Sequence, residues 1–166
     1  PIYVGFGSMA GRQPEHFAGI VLEALAQTGQ RGVLATGWGG MNVMNVPKNV
    51  FVLDSAPHGW LFPRMSVVVH HGGAGTTAEG LRAGVPSVIV PFIVDQLFWG
   101  KRVRELGAGP EPIKAKRLTP DNLAEAIHRA TTDPMMRQRA DEIGIAIRTE
   151  DGVGNAVNTV KHFLGA

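Results

Sequence analysis

The stretch that decides the fold covers residues 67–79 and reads Val-Val-Val-His-His-Gly-Gly-Ala-Gly-Thr-Thr-Ala-Glu. Its valines are typical of a strand buried on both faces of a parallel sheet. A glycine-rich turn follows, and a helical segment follows the turn. This order exposes unpaired backbone N–H groups at the positive end of the helix dipole, which favours anion binding.

Two side chains strengthen the case for an anion site in this turn. Thr76 can add a hydroxyl donor, and His71 can add a ring N–H. A simpler interpretation is a tight turn in which Thr76 and Glu79 form a capping box. We favour anion binding because capping requires neither the histidine nor the three glycines.

The rest of the chain alternates short apolar runs with amphipathic segments, a pattern typical of βαβ units. The predicted strands are residues 2–6, 32–36, 50–53, 66–70, 87–90 and a short sixth at 112–113. The predicted helices are residues 14–28, 75–83, 95–106, two that begin at Pro120 and Pro134, and 152–164. The pattern therefore predicts an α/β fold, a Rossmann-like, doubly wound parallel sheet of five to six strands. Such sheets bind ligands at the carboxyl ends of their strands.

Composition indicates one globular domain, residues 1–166, with 44% hydrophobic and 18% charged residues. The net charge of +2 and the scattered basic residues argue against a nucleic-acid surface. The absence of cysteine excludes disulfides and thiolate metal sites, and it is consistent with a cytoplasmic protein. No signal peptide or membrane-spanning run is visible in the sequence. Because Pro1 leads directly into a predicted core strand, we expect an excised domain that another segment preceded.

A second polar motif, Asp95-Gln96, follows the fifth predicted strand and begins a helix. Asp95 could simply cap that helix, and the sequence alone favours that role. A carboxylate beside an amide also offers the acceptors and donors that neighbouring sugar hydroxyls require.

Glycine spacing leaves a different class of protein open. Gly73-x-Gly75-x-x-Ala78 and Gly5-x-Gly7-x-x-Ala10 both match the dinucleotide fingerprint. No acidic residue ends the second predicted strand, however, and Asp95 lies beyond the tip of the fifth. An NAD-dependent oxidoreductase domain is therefore the alternative hypothesis.

Taken together, several motifs resemble the donor-binding signature of family 1 glycosyltransferases of GT-B fold. They are His71-Gly72-Gly73-x-Gly75-Thr76-x-x-Glu79, Gly84-x-Pro86, Pro91 and Asp95-Gln96. Further blocks resemble the sterol 3β-glucosyltransferase branch. These are Gly5-Phe6-Gly7-Ser8-Met9, Gly37-Trp38-Gly39, Pro57-His58-Gly59-Trp60-Leu61-Phe62, Phe98-Trp99-Gly100-Lys101-Arg102-Val103 and Glu150-Asp151-Gly152. The resemblance covers nearly the whole chain.

The resemblance implies a role for each matching position. His71 would contact the donor diphosphate, Glu79 the ribose, and Asp95 and Gln96 the glucose hydroxyls. Further contacts to the diphosphate would come from Ser8, Gly73, Ala74, Gly75 and Thr76.

The uracil would lie against the loop that runs from Ser55 to His58, and Trp38 could either cover the nucleotide or fill the domain edge. Ser55 and His58 stand where plant relatives have a stacking tryptophan and a ribose-binding glutamine, so the sequence departs from the family pattern at the base. We expect His70, Trp60, Phe62 and Trp99 to pack in the core.

The family further implies the C-terminal half of an inverting, metal-independent glucosyltransferase that uses UDP-glucose and no cofactor. Its acceptor would be a sterol or a similar lipid alcohol. The general base would lie in an N-terminal acceptor domain that this chain lacks, so we expect weak donor binding and no sugar transfer.

Two further expectations concern location and assembly. The full-length protein could associate peripherally with a membrane, and the exposed inter-domain face could support a dimer. The remaining functional alternatives are a related nucleotide-sugar epimerase and a non-catalytic binding module.

Overall fold

A computed structural model describes residues 1–10, 13–36 and 46–164. Its centre is a sheet of five parallel strands in the order β3-β2-β1-β4-β5. The strands are β1 (Ile2–Gly5), β2 (Gly32–Ala35), β3 (Val50–Leu53), β4 (Val67–His70) and β5 (Ser87–Ile89). All five were predicted within about one residue, while residues 112–113 form no strand.

Seven α-helices connect and flank these strands in the described part of the chain. They are α1 (Pro14–Thr28), α2 (His58–Leu61), α3 (Ala74–Ala83), α4 (Val94–Glu105), α5 (Pro120–Thr132), α6 (Pro134–Thr149) and α7 (Gly152–Leu164). Helix α5 begins as its sequence predicts, because the Thr119 hydroxyl accepts the Asn122 N–H. Helix α6 likewise begins where the Asp133 carboxylate accepts the N–H groups of Met135 and Met136.

The helices cover both faces of the sheet, because successive strand side chains point in opposite directions. On one face, Val4 and Val69 pack with residues of α1 and α5, including Leu25 and Ile127. On the other face, Tyr3 and Val68 pack with Phe62 and the segment around α2. Helices α3 and α6 pack against each other over Ile89 of β5 on that second side. The doubly wound architecture is therefore confirmed.

Three aromatic residues that were expected in the core differ from one another in how deeply they are buried. Phe62 is fully buried, as predicted. The prediction for Trp60 was wrong: 57% of its surface is exposed, and the Arg64 guanidinium lies 4.5 Å from its ring centroid. Trp99 is half-buried and meets the Phe98 ring edge to face. Trp60 is exposed because it lies on the four-residue helix α2, and a single turn can bury only part of its surface.

Helix α7 contributes no residue to the described core, and its apolar residues Val153, Val160 and Phe163 are exposed. Among the described helices, none combines the length and the apolar character that crossing a bilayer requires.

Truncation of a core residue should show which helices stabilise the sheet. Ile127→Ala on α5 removes a fully buried side chain, so we expect the free energy of unfolding to fall by about 2–5 kcal/mol. Val153→Ala on α7, where 79% of the side chain is exposed, is the matched control and should change it by less than about 0.5 kcal/mol. Urea unfolding followed by circular dichroism measures both. Equal losses in the two variants would contradict this description of the core.

Candidate functional site: the glycine elbow between β1 and β4

The strand order places one crevice at a defined point of the sheet. From β1 the chain moves outward through β2 to β3, and it then returns to the other side of β1 as β4 and β5. The order reverses between β1 and β4, where Gly5 pairs with His70 at the carboxyl ends. In open α/β sheets this switch point is the usual ligand crevice.

One wall of the crevice is the turn from β4 into α3, which we call the glycine elbow (residues 71–76). Gly72 adopts a φ of +88°, which strongly favours glycine. A Cβ on Gly72 would also lie only 2.7 Å from Ile89 Cγ2 and 3.0 Å from the backbone oxygen of Gln96. Both conformation and space therefore require glycine at this position.

The elbow leaves the first turn of α3 open to a ligand. The N-cap residue is Gly73, and no side chain in the described ranges caps the helix. Thr76 lies inside the helix, so the capping-box interpretation of Thr76 and Glu79 was wrong. The first helical hydrogen bond runs from the Thr77 N–H to the Gly73 carbonyl. The N–H groups of Ala74, Gly75 and Thr76 therefore have no intrahelical acceptor.

The ring of His71 lies between the rest of the elbow and the loop after β1. Its ring is half-buried, and its Nε2 would be 2.5 Å from a Cβ on Gly73. Its Cε1 would be 3.7 Å from a Cβ on Gly7, so the ring touches both walls of the crevice. The pKa of His71 is lowered overall, because the effect of burial, with a smaller contribution from His58, exceeds the opposing effect of the Asp95 carboxylate. At neutral pH the ring can therefore donate one N–H to an anion while remaining uncharged.

Within the Asp95-Gln96 pair, the residue that caps the helix is Gln96 and not Asp95. Gln96 is buried, and its Oε1 accepts the N–H groups of Phe92 at 2.8 Å and Ile93 at 3.3 Å. Gln96 therefore caps the start of α4, and the expectation that Asp95 does so was wrong. Asp95 is exposed at the mouth of the crevice, and it is close enough to His71 for its charge to affect the pKa of that ring.

A second polar corner lies where α2 meets β1 and α3. The His58 ring stacks on Phe62 with centroids 4.4 Å apart, and its Nε2 lies 3.4 Å from the Tyr3 hydroxyl. Burial lowers the pKa of His58, whereas Glu79 raises it. Burial also raises the pKa of Tyr3 to about 12, so its hydroxyl keeps its proton and can donate it to His58. Sequence reasoning did not identify Tyr3, because one tyrosine in an apolar strand resembles a core residue.

Half-buried Glu79 lines a cleft of about 460 Å³ beside this corner. Its Oε2 would be 3.3 Å from a Cβ on Gly59, so the absence of a side chain at residue 59 keeps the carboxylate accessible. Arg82 and Arg148 line the same cleft, and Arg148 donates to the Arg82 carbonyl. Neither arginine stood out in the sequence, since α6 and α3 meet only in the folded chain.

The remaining predicted residues are more dispersed. Ser8 is exposed in a 3-10 turn, Gly7–Ala10, directly after β1 and therefore beside the elbow. Ser55 is exposed after β3, and β2 separates that edge strand from β1. Trp38 lies outside the described residues. Within the described ranges, no group of three His, Asp or Glu side chains could hold a metal ion.

The geometry also weakens the second dinucleotide fingerprint. After Gly7 the chain forms a 3-10 turn, and α1 begins only at Pro14. In the fingerprint, the third small residue allows close packing of a helix that starts directly after the strand. Ala10 precedes α1 by four residues and cannot serve that purpose.

Comparison with known proteins identifies the family. A model of the erythromycin biosynthesis protein CIII-like C-terminal domain matches residues 20–151. The chain belongs to this glycosyltransferase family. It is the donor-binding, C-terminal type of domain found in GT-B glycosyltransferases that resemble sterol glucosyltransferases.

Individual relatives agree with this assignment. A sterol 3-beta-glucosyltransferase of Arabidopsis thaliana is 47% identical over 166 residues, which are 99% of this chain and 27% of that protein. The calicheamicin glycosyltransferase CalG4 superposes with a TM-score of 0.84 at 28% identity, over 99% of this chain and 42% of its own. Glycosyltransferase VinC, solved in complex with DTDP, gives a TM-score of 0.78 at 25% identity, over 97% and 41% of the two chains. The chain thus spans about a quarter of the curated relative and two fifths of the solved structures.

The buried histidine before the elbow should make stability depend on pH. His70 is fully buried, as predicted, and burial, His71 and His58 lower its pKa to about 3. The unfolded chain binds the proton below pH 6.5 and the folded chain does not, so stability should fall as the pH drops from 6.5 toward 3. The contribution of one such group approaches about 1.4 kcal/mol per pH unit.

Urea unfolding of the wild type and His70→Leu between pH 6.5 and 5.5 measures this contribution before most carboxylates titrate. The variant should show a shallower slope. Val69→Ala, a neighbouring core truncation, should lower stability but keep the wild-type slope. Identical slopes in the wild type and His70→Leu would show that His70 does not provide the linkage.

Proposed function

We propose that this chain binds UDP-glucose as the donor half of a metal-independent, inverting glucosyltransferase. The observation that carries the proposal is the glycine elbow at the switch point, with three helix N–H groups open beside the His71 ring. Preorganised N–H donors and a helix N-terminus stabilise a diphosphate without a metal. They also stabilise the charge that develops as the diphosphate leaves the sugar.

The proposed diphosphate contacts are the N–H groups of Ala74, Gly75 and Thr76, the hydroxyl of Thr76, and Nε2 of His71. Gly73 allows the close approach, because any side chain there would meet the His71 ring. Ser8, exposed across the crevice after β1, would approach the phosphates from the opposite side. The first turn of the helix and the ring together would surround the anion with donors.

The nucleoside and the sugar would occupy opposite ends of the elbow. Glu79 would accept hydrogen bonds from the ribose hydroxyls, and the uracil would lie toward His58 and Ser55. The Asp95 carboxylate is exposed and free to accept glucose hydroxyls. Gln96 has already committed its Oε1 to backbone N–H groups, so only its Nε2 N–H groups could reach the sugar. We therefore propose that Asp95 has the larger share of sugar recognition.

The acceptor and the base belong to a segment outside this chain in our proposal. The acceptor would be a sterol or a similar lipid alcohol, a choice supported by the names of the curated relatives. In an N-terminal acceptor domain, a histidine oriented by an acidic residue would take the proton from the acceptor hydroxyl. The isolated chain should therefore bind the donor and transfer no sugar, and turnover on a sterol by the purified chain would contradict this division of roles.

Gly75 tests the diphosphate contact, because adding a methyl group there meets no protein atom within 4 Å. We expect Gly75→Ala to fold normally and to lose about 10-fold or more in UDP affinity by calorimetry, since the methyl group would occupy the anion's position. Gly19→Ala on α1 also has open space around the added Cβ and is the matched control, with unchanged affinity. Unchanged UDP binding in Gly75→Ala, or preference of the wild type for NAD over UDP, would refute the proposed site.

Asp95 tests sugar recognition separately from diphosphate binding. Asp95→Asn should leave UDP affinity near the wild-type value but weaken UDP-glucose binding about 10-fold or more, because a charged hydrogen bond is lost. Calorimetry with both ligands measures the difference. Glu105→Gln, an exposed carboxylate at the far end of α4, is the control. If the variant lost UDP and UDP-glucose affinity equally, Asp95 would not act on the hexose.

A further inference from the structure

His70 lies at the switch point, and the proposed donor site does not use it. It ends β4 and is fully buried among strands β1 and β5. Its Nδ1 accepts the N–H of Gly72 at 3.1 Å, while its Nε2 has no partner among the described residues. Because buried polar groups are normally hydrogen-bonded, the one bond that this ring makes indicates its role.

The bond from Gly72 to His70 lies at the point where the chain changes direction. Gly72 carries the positive φ of the elbow, and it is packed against Ile89 on one side and the backbone of Gln96 on the other. Its N–H is buried with it, so that donor needs an acceptor from the protein. The imidazole supplies this acceptor two residues earlier in the chain.

The acceptor function fixes the chemical state of the ring. A neutral imidazole carries one proton, so an accepting Nδ1 requires that the proton lies on Nε2. A protonated ring has no acceptor and would repel the Gly72 N–H. Burial favours the neutral ring, and the rings of His71 and His58 are the titratable groups whose charges act in the same direction.

We propose that His70 is a positioning residue: by accepting the Gly72 N–H, it holds the glycine elbow in the shape that presents the α3 N–H groups and the His71 ring to a diphosphate. It makes no contact with the donor. The inference rests on the proposed function of the elbow. A histidine that only filled space could be replaced by any side chain of similar size.

Two substitutions separate these roles. His70→Asn places an amide oxygen near the position of Nδ1 and keeps an acceptor, whereas His70→Leu keeps apolar volume and removes it. Calorimetry with UDP should show a loss of about 10-fold for His70→Leu and a loss of no more than about 3-fold for His70→Asn. Val69→Ala corrects for general core damage and should bind UDP like the wild type. Equal affinities in the Leu and Asn variants would overturn the proposal.

Nuclear magnetic resonance of the unliganded wild type tests the same device without a ligand. Long-range ¹⁵N–¹H spectra should show His70 with an unprotonated, hydrogen-bonded Nδ1 and a proton on Nε2. The amide signals of residues 72–76 should shift in His70→Leu and stay near their wild-type positions in His70→Asn.

A proton on Nδ1 in the wild type would overturn the proposal even if the Leu variant failed to fold. If the wild type shows the expected tautomer and the variants show the expected amide shifts, but the wild type binds no UDP, the proposed function fails. The role of His70 in holding the elbow's shape then stands.

Discussion

The site depends on one constraint: the chain must leave β4 and enter α3 within His71, Gly72 and Gly73. Gly72 reverses the chain at a positive φ with Ile89 and Gln96 pressed against it. Gly73 then starts the helix with no side chain over its first N–H groups. The first turn of α3 then leaves its N–H groups without intrahelical acceptors. Because adjacent residues at the end of a strand point to opposite faces, the two histidines before the turn lie on different sides. His70 points into the core, and His71 lies over the crevice.

Neighbouring elements support this constraint from several directions. Gln96 caps α4 with its own side chain, and its backbone oxygen borders Gly72. On the other side, the ring of His71 contacts the position of Gly7 at the end of β1. Side chains of β1, β4 and β5 point alternately to the two faces and are buried on both, which anchors the sheet to α1 and α5 on one face and to α2 and α3 on the other. The elbow is thus built on rigid elements, which is the condition for preorganised electrostatics.

Much of this architecture could be predicted from the sequence, because its signals are local. Hydrophobic runs marked the five strands, and Thr119-Pro120 and Asp133-Pro134 marked two helix starts. Errors arose where tertiary contacts decide. Asp95 looked like a helix cap, yet Gln96 reaches back to the Phe92 and Ile93 N–H groups. The alternative interpretation of Thr76 as a cap also fails, because the turn places Gly73 at that position. Tyr3, Arg148 and the exposure of Trp60 depend on how α2 and α6 lie against the sheet, which no local pattern encodes.

The central claim is that the elbow's N–H groups and His71 bind a diphosphate. A crystal structure of the chain with bound UDP tests it most directly. We predict that phosphate oxygens lie within about 3 Å of the N–H groups of Ala74, Gly75 or Thr76 and of His71 Nε2. Phosphate density anywhere else on the molecule, with the elbow unoccupied, would contradict the account.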